Sequence, residues 1–165
     1  MNRVSEGIKS FLVDSRGLLH EMEMGLLRLE LEEQRNERQV LRSIVVTATA
    51  LENSAGQLGL DEIVRFTRQL EVILAKVDNI AEAVLLNLIE LFQDCCEHIK
   101  HLLELVASGM EIDPQTRHHG DLIIEMIMLS YLSICNDYCL SLLLDLPEPG
   151  SRVIQYSGSA RAFAQ

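Results

Sequence analysis

The stretch at 42–60, RSIVVTATALENSAGQLGL, constrains the fold more than any other part of the chain. Together with the residue before it, apolar or small side chains stand at Leu41, Ile44, Ala48, Leu51 and Ala55. Those three- and four-residue steps lay one stripe along a helix. Gly56 and Gly59 follow, and glycine accepts the left-handed backbone that ends a helix and turns the chain back. A helix with one apolar stripe must bury it against a neighbour, so the stretch commits the chain to helix-on-helix packing.

The same periodicity recurs on both sides. Residues 1–9 read as a short lead-in. Over 10–34 a stripe of Phe11, Leu18, Met22, Leu26 and Leu29, bordered by Asp14, Glu21, Glu23 and Glu30, predicts a first helix. Asn36 with Gln39 forms a capping box opening the second. A third, over 60–77, buries Ile63, Phe66 or Thr67, Leu70, Leu74 and Val77. Asn79 with Glu82 opens a fourth, whose stripe is Val84, Leu88, Phe92, Cys95, Ile99 and Leu102 and which Gly109 closes. Asp113 and Pro114 are an N-cap and first-turn pair for a fifth helix reaching 146. Gly120 allows a later start at Asp121, and the Asn136, Asp137, Tyr138 run allows a break near the end. The expectation is an all-α, antiparallel bundle of four to five helices over 1–146, followed by a flexible tail or linker over 147–165. The initial methionine reads as a natural beginning, and the aperiodic tail as a possible link to something further.

Charge and cysteine usage narrow the function classes. With 25 acidic against 14 basic residues the net charge is −11, which opposes a nucleic-acid backbone or an anionic membrane surface as partner. Cys95, Cys96, Cys135 and Cys139 fall inside apolar helical patterns, the usage of small buried side chains in a reducing compartment. The N-terminus has no apolar run long enough for a signal peptide. The apolar stretch 122–144 is interrupted by Glu125, Asn136 and Asp137, so it reads as a core or interface helix. A cytoplasmic location follows as the expectation, and no cofactor is implied.

Two stretches, in this order and spacing, resemble the histidine phosphotransfer (Hpt) domain at the head of CheA-type chemotaxis kinases. One is FLVDSRGLLHEMEMGLLRLE at 11–30, similar to that family's opening acidic helix. The other is LRSIVVTATALENSAGQLGL at 41–60, with the Gln69, Leu70, Glu71 segment after it. The resemblance is strongest over 11–108, and the apolar helix at 114–146 is additional. It implies an Hpt-like bundle with a phosphorylation site on the second helix. In that register the family's phospho-accepting histidine falls on Thr49, its lysine on Glu52 and its glycine on Asn53. The glutamate that orients the histidine falls on Glu71 and is kept.

Those departures change the chemistry. An imidazole is nucleophilic at neutral pH and leaves readily from phosphorus, whereas a threonine hydroxyl is barely ionised. Glu52 repels incoming phosphoryl oxygens that a lysine would attract, and Asn53 adds bulk where glycine permits close approach. The degenerate phosphosite of Thr49, Glu52, Asn53 and Glu71 therefore implies loss of phosphotransfer.

Other chemistry-bearing residues have simpler readings. His20 is an exposed polar position on the first helix. Asp94, His98 and His101 share about 60° of one helix face and form a weak zinc candidate, against the plainer reading of a solvated acid–histidine pair. His118 and His119 adjoin Gly120 and point in different directions. Met22, Met24, Met126 and Met128 read as core filler in preference to a partner groove. No phosphate loop, kinase signature, nucleophile elbow or HExxH motif is present. The functional expectation is a catalytically inactive, Hpt-like binding module in bacterial two-component or chemotaxis-type signalling, partnering a receiver, kinase or scaffold. A homodimer through 114–146 is a further expectation. Its alternatives are active phosphotransfer from another histidine and a purely structural helical oligomer.

Overall fold

A computed structural model describes residues 2–31, 37–77 and 88–144. The described residues form five helices and no strand: α1 Asn2–Glu30, α2 Glu37–Gln57, α3 Asp61–Val77, α4 Ile89–Ser108 and α5 Pro114–Leu144. The chain divides into two compact units, Met1–Tyr131 and Leu132–Gln165. The first holds α1 to α4 and α5 as far as Tyr131; the second is, among described residues, the continuation of α5 to Leu144. The helical bundle expected from periodicity is what the chain forms.

Pairings across the seams fix the topology of the first unit. Gly7 meets Leu58 and Gly25 meets Ile44, so α1 and α2 are antiparallel. Gln93 reaches Glu30 and Lys100 reaches Glu23, which makes α1 and α4 antiparallel as well. Arg68 meets Glu52 and Val64 lies beside Gly56, so α2 and α3 are antiparallel too. With α3 also touching α4, the four helices close a ring in the order α1, α2, α3, α4. The α2 stripe is buried in full: Leu41, Ile44, Ala48, Leu51 and Ala55 are each no more than 4% exposed. On α3 both Phe66 and Thr67 are buried, and Thr67 satisfies its hydroxyl on the Ile63 carbonyl at 2.7 Å. Gly25 has no Cβ to hold Ile44 away; one would lie 3.0 Å from Ile44 Cγ1.

Both turns expected from glycine are Schellman-type caps. Gly59 and Gly109 have φ of 68° and 67°. Leu60 N–H returns to the Ala55 carbonyl at 3.0 Å, and Met110 N–H to the Leu105 carbonyl at 3.0 Å. The α5 start is also as expected: Thr116 N–H donates to Asp113 Oδ1 at 2.6 Å, ahead of which Pro114 lacks a donor to leave unpaired.

Several expectations need correction. The helix α1 begins at Asn2, so most of 1–9 is helix and no lead-in. Its buried stripe runs through Leu12, Ser15, Leu19, Met22, Leu26 and Leu29, a regular alternation of three and four; Leu18 is only half-buried. The later start at Asp121 is not adopted, and α5 continues unbroken past Asn136 and Asp137. The Asn36 cap, the Asn79 and Glu82 pair, Val84 and the 147–165 tail lie outside the described residues.

The first turns of α5 dock on α3 and α4 through contacts that pattern reading did not foresee. Glu62 is only 7% exposed and is clamped by Arg65 Nη2 at 2.5 Å and Arg117 Nε at 3.0 Å, while Arg65 Nη1 also holds Asp121 at 2.5 Å. The pairs 62 with 117 and 65 with 121 advance together, so α5 runs parallel to α3. Ile123 and Ile127 are buried below them. Gly120 is also buried: a Cβ there would fall 2.5 Å from His98 Nε2, so only glycine lets α5 approach this closely.

Candidate functional site

The antiparallel α2–α3 seam brings Thr49 and Glu52 of α2 against Glu71 and Arg68 of α3. Thr49 is half-buried and its hydroxyl donates to the Val45 carbonyl at 3.0 Å, the back-bond common to helical threonine. Arg68 donates to Glu52 Oε1 twice, from Nε at 2.9 Å and Nη2 at 2.6 Å. Asn53 is exposed. Glu71 Oε1 is buried and has no hydrogen-bond partner. Burial raises the Glu71 carboxyl above its ordinary range and neighbouring Glu52 adds to this, while the Thr49 hydroxyl and Arg68 pull the other way. Two carboxyl groups thus face each other beside one guanidinium, and one of them is biased toward keeping its proton.

That arrangement can hydrogen-bond and can repel anions. It holds no imidazole, and the Thr49 proton is engaged on the helix's own backbone. The cation that sequence reading missed is Arg68, which comes from α3 and is neutralised by Glu52. Its spacing of three residues before Glu71 was the available signal.

The other candidates separate in space. His20 is exposed on the α1–α4 seam, in a recess of about 240 Å³ shared with Arg16, Glu23 and Lys100. Among the described residues no group of three His, Cys, Asp or Glu is arranged to hold a metal ion. Asp94 and His101 are exposed, whereas His98 is 3% exposed and turned into the bundle. Its ring centroid is 4.6 Å from that of Phe66 and 5.6 Å from that of His119, and neither ring nitrogen has a hydrogen-bond partner. Burial, then the neighbouring His119 and His101, lower its pKa to about 4. His98 is thus a packing residue against α5. Of the four methionines only Met22 is core; Met24 and Met126 are exposed, and Met128 lines an open groove of about 510 Å³ between α3 and α5. Cys95 and Cys96 are buried free thiols, and Cys135 is half-buried and free. No described helix is long and apolar enough to cross a membrane.

The chain matches no protein-family model, no curated protein and no solved structure.

Proposed function

We propose that the chain is a non-enzymatic, Hpt-like protein-binding module of cytoplasmic two-component or chemotaxis-type signalling, in which the phosphotransfer chemistry has been lost. The supporting observation is the meeting of Thr49 and Glu71 across α2 and α3, with Glu52 beside Glu71 and paired to Arg68. On this reading these are the positions at which a histidine would be oriented by a glutamate and served by a neighbouring lysine. With Thr49 and Glu52 in those places, the face is left to bind a receiver, kinase or scaffold without accepting phosphate. Incubation with phosphorylated receivers and a labelled phosphodonor should leave the chain free of acid-labile label, whereas Thr49→His combined with Glu52→Lys and Asn53→Gly should acquire it. Label on the unaltered chain overturns the inactive reading, and His→Gln changes made singly at His20, His98, His101, His118 and His119 would locate the acceptor. An unlabelled triple variant that remains folded counts against the Hpt-type reading itself.

A second reading has one observation in its favour. Leu122, Met126 and Leu129 are 42%, 53% and 61% exposed at steps of four and three, the spacing of an unoccupied helix seam. Self-association through α5 would cover them. Light scattering of the chain and of Met126→Asp distinguishes a dimer from a monomer indifferent to the change.

A further inference from the structure

The groove between α3 and α5 has an apolar floor of Val72 and Ile73 from one helix and Ile124 and Met128 from the other. Its two walls are parallel helices, and the wall on α3 has a repeating order. Arg68, Val72 and Lys76 recur every four residues, so a cation, an exposed valine and a second cation stand in one row roughly 12 Å long. Val72 is 53% exposed. A trough of this kind between two helices complements the apolar face of a third, whose anchors fall at the same three- and four-residue pitch.

We propose that this groove takes an amphipathic helix of a partner protein, one whose apolar face is flanked by glutamate or aspartate. Charge selects that occupant: the acid in the lining, Asp61, stands at the start of α3, at the end away from Lys76. Lys76 pairs with no acid among the described residues. Arg68 is 67% exposed and both of its contacts go to one oxygen, Glu52 Oε1, which leaves Nη1 for another acceptor. Arg65, in contrast, is fully engaged by Glu62 and Asp121. Over a chain of net charge −11, an acidic helix is repelled almost everywhere else. Attraction at this rim and repulsion beyond it fix both where such a helix docks and in which register. A basic helix meets the opposite field: drawn to the remainder of the surface and held off here. The groove shares Arg68 with the Thr49 seam but takes Val72, Lys76 and its α5 wall from outside it, so this inference does not rest on the phosphosite reading.

The test uses the full chain and a labelled synthetic helix with leucines on one face and glutamates beside them, together with a lysine-for-glutamate counterpart. Fluorescence anisotropy should show saturable binding of the acidic helix at least about tenfold tighter than that of the basic one. Lys76→Glu should remove most of that preference, and Val72→Asp should abolish binding. Val13→Asp, at a 69% exposed site on α1, should leave binding unchanged. Since Val72 and Lys76 are exposed, the variants should keep the helical circular dichroism of the parent. Absence of saturable binding, equal affinity for both peptides, or indifference to Lys76→Glu and Val72→Asp overturns the proposal. So does a self-associated chain that Val72→Asp converts to monomer, because the occupant is then a second copy. Presence or absence of acid-labile label on the chain leaves this result untouched.

Discussion

His98 should make the docking of α5 acid-labile, and the size of the effect follows from its surroundings. The ring is 3% exposed between Phe66, His119 and the Gly120 backbone, with both nitrogens unpaired. Its pKa falls from the ordinary 6.5 to about 4, through burial first and the His119 and His101 charges next; Arg65 adds to the lowering and Glu62 opposes it. Because the folded value lies below the unfolded one, the contribution is intact above pH 6.5. As pH falls toward 4 the unfolded chain binds a proton that the folded chain refuses. Stability then drops by about 1.4 kcal/mol per pH unit, at most about 3 kcal/mol in all. Urea unfolding of the chain and of His98→Leu across pH 7.5 to 4 isolates the effect, since carboxylates common to both largely cancel in the difference. At pH 7.5 the leucine variant should be as stable as the parent or about 1 kcal/mol better, having lost two unpaired buried nitrogens. Its advantage should then widen by about 3 kcal/mol toward pH 4. A difference that stays flat to within about 0.5 kcal/mol refutes the argument.

Other expectations concern neighbouring features. Gly120→Ala should destabilise by about 1–3 kcal/mol, because its Cβ meets a ring that Phe66 holds in place; in a His98→Ala background most of that cost should vanish, as a double-mutant cycle would measure. Ser15 Oγ is buried in the α1 stripe without a partner, so Ser15→Ala should raise thermal stability, by about 1 kcal/mol. Arg65→Met should cost about 3 kcal/mol in denaturant titration by leaving Glu62 buried with only Arg117, whereas Arg117→Met, at a 56% exposed side chain, should cost under about 1 kcal/mol. Burial pushes the Cys95 thiol up strongly and Cys96 up to about 12, so alkylation of the native chain at pH 8, followed by mass spectrometry, should modify Cys135 while sparing both.

The helices were legible because their apolar steps are regular and their ends carry glycine or an Asp–Pro pair. The α2 and α3 stripes, both turns and the Asp113 cap are as the residues imply. In α1 a single serine hid the pattern: Ser15 occupies a core position, and its polarity shifted the apparent stripe from Leu19 to Leu18. Gly120 looked like an interruption because a glycine's local cost is visible in sequence while the close approach it permits is not. The pairing of Glu62 with Arg117 joins residues of two helices that are not consecutive, and helical spacing carries no information about such partners. The degenerate site was half legible. Thr49 and Glu71 emerge from the register of one resemblance, but the role of Arg68 depends on how α3 is rotated against α2. The reading of Asp94, His98 and His101 as a solvated acid–histidine face failed at His98 for a similar reason, since its two neighbours on the helix face water and it faces Gly120.

The ring order of the helices also bears on how the chain folds. Contacts between α1 and α2 and between α2 and α3 join helices consecutive along the chain, and the two glycine caps make the α2–α3 and α4–α5 reversals short. Closure between α1 and α4 is different, bringing Glu23 to Lys100 and Glu30 to Gln93. Most of the ordering entropy can therefore be met by hairpins that form locally, a low-contact-order route associated with fast folding. The α1–α4 seam is the long-range step, and by the same reasoning it is where partial opening of the bundle starts.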